Sequence, residues 1–402
     1  MSAPPQDTTV GIIGAGPAGL ALARLLHLAG VDCVVLERRD RVYIEQRQRA
    51  GTLEPATVEL LRSIGAAERL DREGLVLDGI ELRFAGRGHF LDFAALADGA
   101  RLAVYPQTKI VQDLVALQTQ DGPPLLFEAD VHTVSDLDGP RPTIGFRTAG
   151  REHSLRCRYI AACDGAHGIG RSTVLAAGGH LQERTYPYSW YGILADVAPS
   201  TDTLLYARSD HGFALHSMRS PTVSRLYFQV PVDHEPEQWT DEAIWDELAL
   251  RLAAGTDWKL ERGPITSKAV IAMSSELLAP MKVGRMLLAG DAAHVMPPTG
   301  AKGLNLAVAD AFALSQALLA AETAETADGE QSLEHYARER VLQARHVERF
   351  SRFMTHTMHI APGEDEETAA RRLGVLERIV GSPGTAQLFA REYVGRSRTE
   401  AV

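Results

Sequence analysis

The sequence predicts an α/β protein: a nucleotide-binding layer of Rossmann type, interrupted by a β-rich insertion and followed by helices. Three observations carry that expectation. Residues 10–39, "VGIIGAGPAGLALARLLHLAGVDCVVLERR", read as strand, glycine turn, helix, second strand and acid. Residues 184–232 are rich in aromatic and β-branched side chains broken by turns, the pattern of an antiparallel sheet. From Gly284, "GRMLLAGDAAHVMPPTGAKGLNLAVADAFALSQALL" returns to strand, loop and long helix, so the nucleotide layer resumes after the insertion.

The first unit explains itself residue by residue. Val10–Ile13 is a short β-branched run, and Gly14, Gly16 and Gly19 follow at the spacing G-x-G-x-x-G, opening an amphipathic segment over Pro17–Ala29. Gly14 permits the tight turn, Gly16 lets a pyrophosphate approach the backbone, and Gly19 lets helix and strand pack closely. The helix N-terminus adds free N–H groups and a partial positive charge. Gly30 closes the helix, and a second run, Val31–Leu36, ends at Glu37, where a parallel strand presents an acid to a ribose hydroxyl. This unit predicts a bound dinucleotide without distinguishing a flavin from a nicotinamide.

Composition narrows the partners. A chain of 402 residues accommodates two or three domains, or one with a large insertion, and 45% hydrophobic with 23% charged residues is an ordinary soluble composition. A formal charge of -11 and a pI near 5.7 argue against nucleic acid or an anionic membrane as the main partner. An anionic small substrate therefore needs a local cluster of arginines. Cys33, Cys157 and Cys163 have no metal or disulfide spacing, which suits a reducing cytosol and predicts a cytoplasmic protein without a metal. The N-terminal apolar segment lacks the basic flank of a signal peptide. The Ala-rich stretch "AVADAFALSQALLAA" is interrupted by Asp310, Ser315 and Gln316, so no membrane span is expected.

Further along, residues 52–70 read as helix, "GIELRFAGRGHFLDF" as a hairpin, 107–120 as helix, 143–163 as strands ending in "YIAACDGAHGIGRS", and 331–358 as a charged helix. Within the insertion, alternation over Phe213–Gln229 puts Leu215, Ser217 and Arg219 on one face, and a short turn returns Arg225 and Tyr227 beside them. An arginine, a hydroxyl and a phenol over a leucine make a pocket for a flat acid. By residues alone, a solvated sheet face describes the same pattern. Asp291 follows a strand end, placed either to accept a ribose or ribitol hydroxyl or to cap a helix. Tyr206 and Tyr393 are joined by no spacing argument and read as interface tyrosines.

"CDGAHGIGRS" and "GRMLLAGDAAHVMPPTGAKGLN" resemble the second and third motifs of the single-component FAD-dependent aromatic hydroxylases, and the glycine unit at the start is similar to the first. All three stand in that family's order. The resemblance spans nearly the whole chain and is nearest the branch acting on 4-hydroxybenzoate, through "RQRAG", "VYPQT", "LLYARSDHGFALHSMRS", "SRLYFQVP", "MPPTGAKGLN" and "YVG". It implies a Rossmann-like FAD-binding domain over residues 1–75, 100–182 and 278–355, a β-sheet substrate domain over 76–99 and 183–277, and a C-terminal helical region over 356–402. It implies FAD contacts from Arg47, Arg49, Gln107, Asp164, Asp291, Leu304 and Asn305, with Arg225 near the isoalloxazine. It makes Ser217, Arg219 and Tyr227 a carboxylate clamp, sets Tyr206 on the substrate's phenol oxygen with Tyr393 continuing the chain, and turns the Pro298 carbonyl toward the ring.

The implied reaction takes 4-hydroxybenzoate, O₂ and NADH or NADPH to 3,4-dihydroxybenzoate, in a homodimer. Arg38, Tyr43, Arg47 and His167 are the expected nicotinamide-nucleotide contacts. Leu77 stands where the family usually has a histidine, and Ser274 where it usually has an arginine. Glu45 disfavours a 2′-phosphate whereas Arg39 and Arg41 favour it, which leans slightly to NADH. Sister hydroxylases of 4-aminobenzoate or 3,4-dihydroxybenzoate fit the same clamp. A flavin carrier without hydroxylation and a nicotinamide-dependent dehydrogenase are the rivals from other classes.

Overall fold

Short β-branched runs build the first sheet, in a computed structural model that describes residues 4–47, 51–235, 239–323 and 326–396. Strands β1 (Asp7–Ile13), β2 (Cys33–Leu36), β8 (Leu125–Leu126), β11 (Arg151–Ala162), β17 (Lys282–Val283) and β18 (Met286–Leu288) lie in the order β17-β18-β11-β1-β2-β8. β9 (Asp130–Ser135) and β10 (Thr143–Thr148) extend it antiparallel from the first half of β11. The pairs β1–β2, β1–β11, β11–β18 and β2–β8 are parallel, so these strands end on one edge. That edge is where open α/β sheets bind nucleotides.

Helix α1 (Pro17–Leu28) packs against α6 (Gln107–Asp121) and α9 (Lys302–Thr323), and α9 against α10 (Thr326–Met358). With a mean hydropathy of 1.5, α9 is long and apolar enough to cross a membrane, contrary to the expectation from its interrupting polar residues. Here it is a core helix, with Leu306, Ala311, Leu314 and Leu318 buried among the sheet and α1 side chains. The helix expected over 52–70 is broken. β3 (Thr52–Leu53) precedes α3 (Pro55–Ser63), and α4 (Glu68–Glu73) follows Gly65, whose φ of +76° ends the helical run. β3, β7 (Leu102–Val104) and β4 (Leu75–Leu77) form a small sheet, and α2 (Arg41–Gln46) packs against α6.

The second large sheet has the order β19-β16-β12-β15-β14-β13-β5-β6. Its strands are β5 (Gly79–Phe84), β6 (Arg87–Asp92), β12 (His180–Ala195), β13 (Leu204–Ser209), β14 (Gly212–Ser220), β15 (Val223–Val230), β16 (Ile265–Ala279) and β19 (His294–Val295). Alternation sends Tyr191, Ile193, Leu226 and Phe228 to one face, against Ile244, Trp245 and Leu248 of α8 (Asp241–Ala253). Trp190, Phe213, Leu215 and Tyr227 face the other way, into a cluster with Phe350, Met354, Phe389 and Tyr393. Both faces are thus covered, and the solvated-face reading of the hairpin fails. α5 (Phe93–Leu96), α7 (Ile169–Ala176), α11 (Glu366–Gly381) and α12 (Pro383–Tyr393) complete the chain. The segment after β18 leaves the first sheet and enters the second at β19, so one loop bridges both layers.

Candidate active site

A cleft of about 780 Å³ runs along the ends of the parallel strands to the hairpin of the second sheet. After β1, Gly14 takes φ +101°, and a Cβ there would strike the carbonyl of Cys163. Gly19 is held against the Gly14 carbonyl, which only a hydrogen in place of a side chain allows. A Cβ on Gly16 would meet nothing within 4 Å, so its backbone opens onto the cleft. After β2, Glu37 accepts the N–H groups of Ala15 (2.8 Å) and Arg39 (2.7 Å), which fixes its carboxylate at the cleft wall.

After β11, Asp164 accepts the Gly170 N–H at 2.9 Å at the start of α7, and burial raises its carboxyl above the ordinary range. Its second oxygen, Oδ1, is buried without a hydrogen-bond partner among the described residues. After β18, Asp291 is exposed at the rim of the cleft. Leu304 in the first turn of α9 and Gln107 at the start of α6 line it too. So do Arg38, Tyr43, Arg47 and His167; Arg49 lies outside the described residues. Asn305 does not line it. Its amide accepts from Glu54 N–H and donates to the Thr52 and Ala301 carbonyls, so the side chain ties β3 to α9.

At the hairpin end, the register pairs Leu215 with Tyr227 and Ser217 with Arg225, which gathers the expected face. A register shift between Met218 and Ser220 makes Arg219 the extra residue of a bulge, a device that re-aims a side chain. Burial, then the neighbouring Arg225, lower the Arg219 guanidinium to about 10, while a hydrogen bond with Tyr227 opposes this. Arg225 is 9% exposed, lies 5.1 Å from the Tyr227 ring, and its Nε and Nη1 have no partner among the described residues. Among the described residues, Ser217 Oγ makes a 3.4 Å contact to the Met218 carbonyl. Arg225, Tyr227 and Pro298 line the cleft; Ser217, Arg219, Tyr206 and Tyr393 do not.

Tyr206 Oη and Tyr393 Oη are 2.6 Å apart, joining residues 187 positions distant in sequence. Burial pushes the Tyr206 hydroxyl up to about 12, partly offset by the bonds to Tyr393 and the Gly300 backbone; burial and Tyr206 raise Tyr393 well above its usual value. The Pro298 carbonyl accepts the Ala301 N–H at 3.0 Å, which leaves one lone pair for a ligand. Leu77 is packed in the cluster that holds both tyrosines, and Ser274 lines the cleft.

Three supports escaped the sequence reading. Lys302 is 3% exposed and donates to Glu54 (2.7 Å) and to the Glu392 and Tyr393 carbonyls (both 2.8 Å), which locks α12 onto the start of α9. Asp310, fully buried, accepts from Gly290 N–H (2.9 Å), His294 Nε2 (2.6 Å) and Arg340 Nε (2.7 Å). Burial alone would raise Asp310, but His294 and Arg340 bring it below the usual carboxylate range. Arg171 donates to the Ala292 and Asp291 carbonyls and pairs with Glu276. The one signal for Asp310 is an acid in the middle of an alanine-rich helix.

The cleft fits a flavin dinucleotide: backbone open at Gly16, a fixed acid after β2, an orphaned carboxylate oxygen at Asp164 and a helix start at α9. The family described as FAD binding domain matches residues 7–351. The chain is 40% identical over 390 residues to p-hydroxybenzoate hydroxylase of Acinetobacter baylyi, covering 97% of this chain and 96% of that protein. It is 28% identical over 361 residues to 3-(3-hydroxy-phenyl)propionate/3-hydroxycinnamic acid hydroxylase of Mycobacterium avium, covering 85% of this chain and 59% of that one. The fold superposes on p-nitrophenol 4-monooxygenase from Pseudomonas putida with a TM-score of 0.81 at 21% identity, over 98% of this chain and 100% of the other.

Proposed function

We propose, because the chain belongs to the FAD-dependent aromatic hydroxylases that carry this FAD binding domain, that it converts 4-hydroxybenzoate to 3,4-dihydroxybenzoate with NADH or NADPH and O₂. Bound FAD supplies the reduction and oxygen-transfer chemistry. The observation that carries the acid substrate is Arg225, buried in the cleft wall with Nε and Nη1 unpartnered among the described residues, beside the half-buried Arg219. A guanidinium stays charged, so the buried Arg225 with a second arginine beside it calls for an anion. A ring carboxylate meets that need through paired N–H donors, with Ser217 and Tyr227 adding hydrogen bonds.

Tyr206 then faces the para substituent. Its oxygen accepts from the Gly300 backbone, and when Tyr393 donates across their 2.6 Å contact the Tyr206 proton is left for a phenol oxygen. Hydrogen bonds that favour the phenolate make the ring electron-rich, against an ordinary phenol pKa of about 10. The Pro298 carbonyl and the covered hairpin hold the ring in place and keep water out. For the reductant, Arg41 is paired with Glu45 at 2.7 Å, which removes one charge a 2′-phosphate would use and supports NADH over NADPH. A cytoplasmic homodimer completes the proposal, in keeping with three free, buried cysteines.

The test is NADH and NADPH oxidation by the purified yellow protein with 4-hydroxybenzoate, 4-aminobenzoate and 3,4-dihydroxybenzoate, with products separated by chromatography. Stoichiometric 3,4-dihydroxybenzoate from 4-hydroxybenzoate is expected. Faster, coupled turnover of either other acid would reassign the substrate.

A further inference from the structure

A second, smaller crevice of about 190 Å³ opens between β12, β16 and α10. Ser274 lines the flavin cleft, while the next residue, Ser275, lines this crevice. Four arginines converge on it, Arg184, Arg345, Arg349 and Arg352, against two acids, Glu276 and Glu348. The acids are already engaged. Glu276 pairs with Arg171, and Glu348 is reached by Arg352 at 3.9 Å and by Ser275 Oγ at 3.4 Å. Among the described residues, Arg184 and Arg345 pair with no carboxylate, and Arg349 reaches only His346 Nδ1, at 3.5 Å.

Arg345, Arg349 and Arg352 stand at i, i+4 and i+7 on α10, so they share one face and repel one another unless an anion lies between them. That excess of positive charge sits in a chain of formal charge -11. The His356 imidazole nearby is held below its usual range, first by burial and then by Arg372, Arg184 and Arg352, with Glu348 opposing. Guanidinium forks match the oxygens of a phosphate in geometry as well as charge.

We propose that this crevice is an oxyanion site that takes a phosphate group, either as a free phosphate or as the phosphate end of a nucleotide. The crevice is separate from the flavin cleft, and the proposal does not depend on the identity of the aromatic substrate. Glu276 holds Arg171 and through it the Asp291 turn, so a test leaves Glu276 untouched.

The experiment is calorimetric titration of the FAD-loaded protein with inorganic pyrophosphate, compared with the variant R345Q/R349Q, both exposed positions. Saturable binding is expected in the natural sequence, weakened about tenfold or more in the variant and weakened by added salt, with an unchanged flavin spectrum. A second arm titrates adenosine 2′,5′-bisphosphate. If it competes with pyrophosphate and loses affinity in the variant, the nucleotide phosphate is the source; if it binds both proteins equally while pyrophosphate does not, the free oxyanion is. Equal pyrophosphate affinity in both proteins, or no saturable binding in the natural sequence, overturns the proposal and leaves a solvated arginine face.

Discussion

At the flavin end of the cleft the ligand-facing surface is largely backbone, set by loops at the ends of neighbouring parallel strands; at the hairpin end it is side chains drawn from distant stretches. Gly14, Gly16 and the start of α9 offer N–H groups and close approach, whereas Arg225 and Tyr227 offer charge and a hydroxyl, and the buried Tyr206–Tyr393 pair stands outside the lining. Damage to the first surface should therefore remove the cofactor or the fold. Damage to the second should leave a yellow protein that binds or couples poorly.

The largest effect should come from Gly14→Val. A β-branched residue at φ +101° costs on the order of 1–3 kcal/mol in backbone strain alone, and its Cβ would overlap the Cys163 carbonyl. Flavin absorbance per mole of protein and the melting temperature should both fall sharply. Normal FAD content would mean that the turn tolerates a side chain.

Next is Asp310→Asn, which leaves His294 and Arg340 facing a neutral amide in a dry interior and should cost about 3–5 kcal/mol. Because the folded carboxyl lies below its unfolded value of about 3.9, its stabilisation is fully present above that pH and is lost as pH falls through the folded value. The difference in unfolding free energy between the two proteins should thus be flat at neutral pH and shrink in acid. A pH-independent difference would show that the carboxylate charge is not what matters.

Arg219→Lys keeps the charge and loses the paired donors, so the dissociation constant for 4-hydroxybenzoate should rise about tenfold or more with FAD still bound. Unchanged affinity in a flavin-fluorescence titration would move the clamp to Arg225. Tyr206→Phe should still bind substrate and oxidise NAD(P)H, but release H₂O₂, with product per NAD(P)H down about tenfold. Full product yield would show that ring activation lies elsewhere.

The smallest effect concerns Leu77, an apolar side chain packed among the residues around both tyrosines. It can neither accept nor donate a proton. Leu77→His should speed ionisation of the bound phenol a few-fold after a pH jump, read by stopped-flow absorbance. Identical rates and pH profiles would place the proton exit away from this strand.

Much of this contrast was legible in the sequence, unevenly. The glycine unit, Glu37 and the Asp291 turn are short-range features, and the structure puts them on one cleft. The shared face of Leu215, Ser217, Arg225 and Tyr227 also followed from alternation, since a strand pair has only two faces. Arg219 sits at a bulge that alternation does not report, yet it still hydrogen-bonds Tyr227 of that face. Nor did spacing report that the Asn305 amide bonds Thr52 of β3 and Glu54 just after it, some 250 positions away in sequence.

What the sequence by itself determined is therefore what local stereochemistry encodes: strand and helix periods, turns that need glycine, and an acid at a strand end. What only the tertiary structure decided is which distant groups meet: Tyr206 with Tyr393, Lys302 with the end of α12, Asp310 with His294 and Arg340. Those meetings depend on how helices and sheets pack, and no spacing along the chain reports that. Burial then supplies the energetic weight, because a polar group taken from water must find its partner wherever the fold has put one.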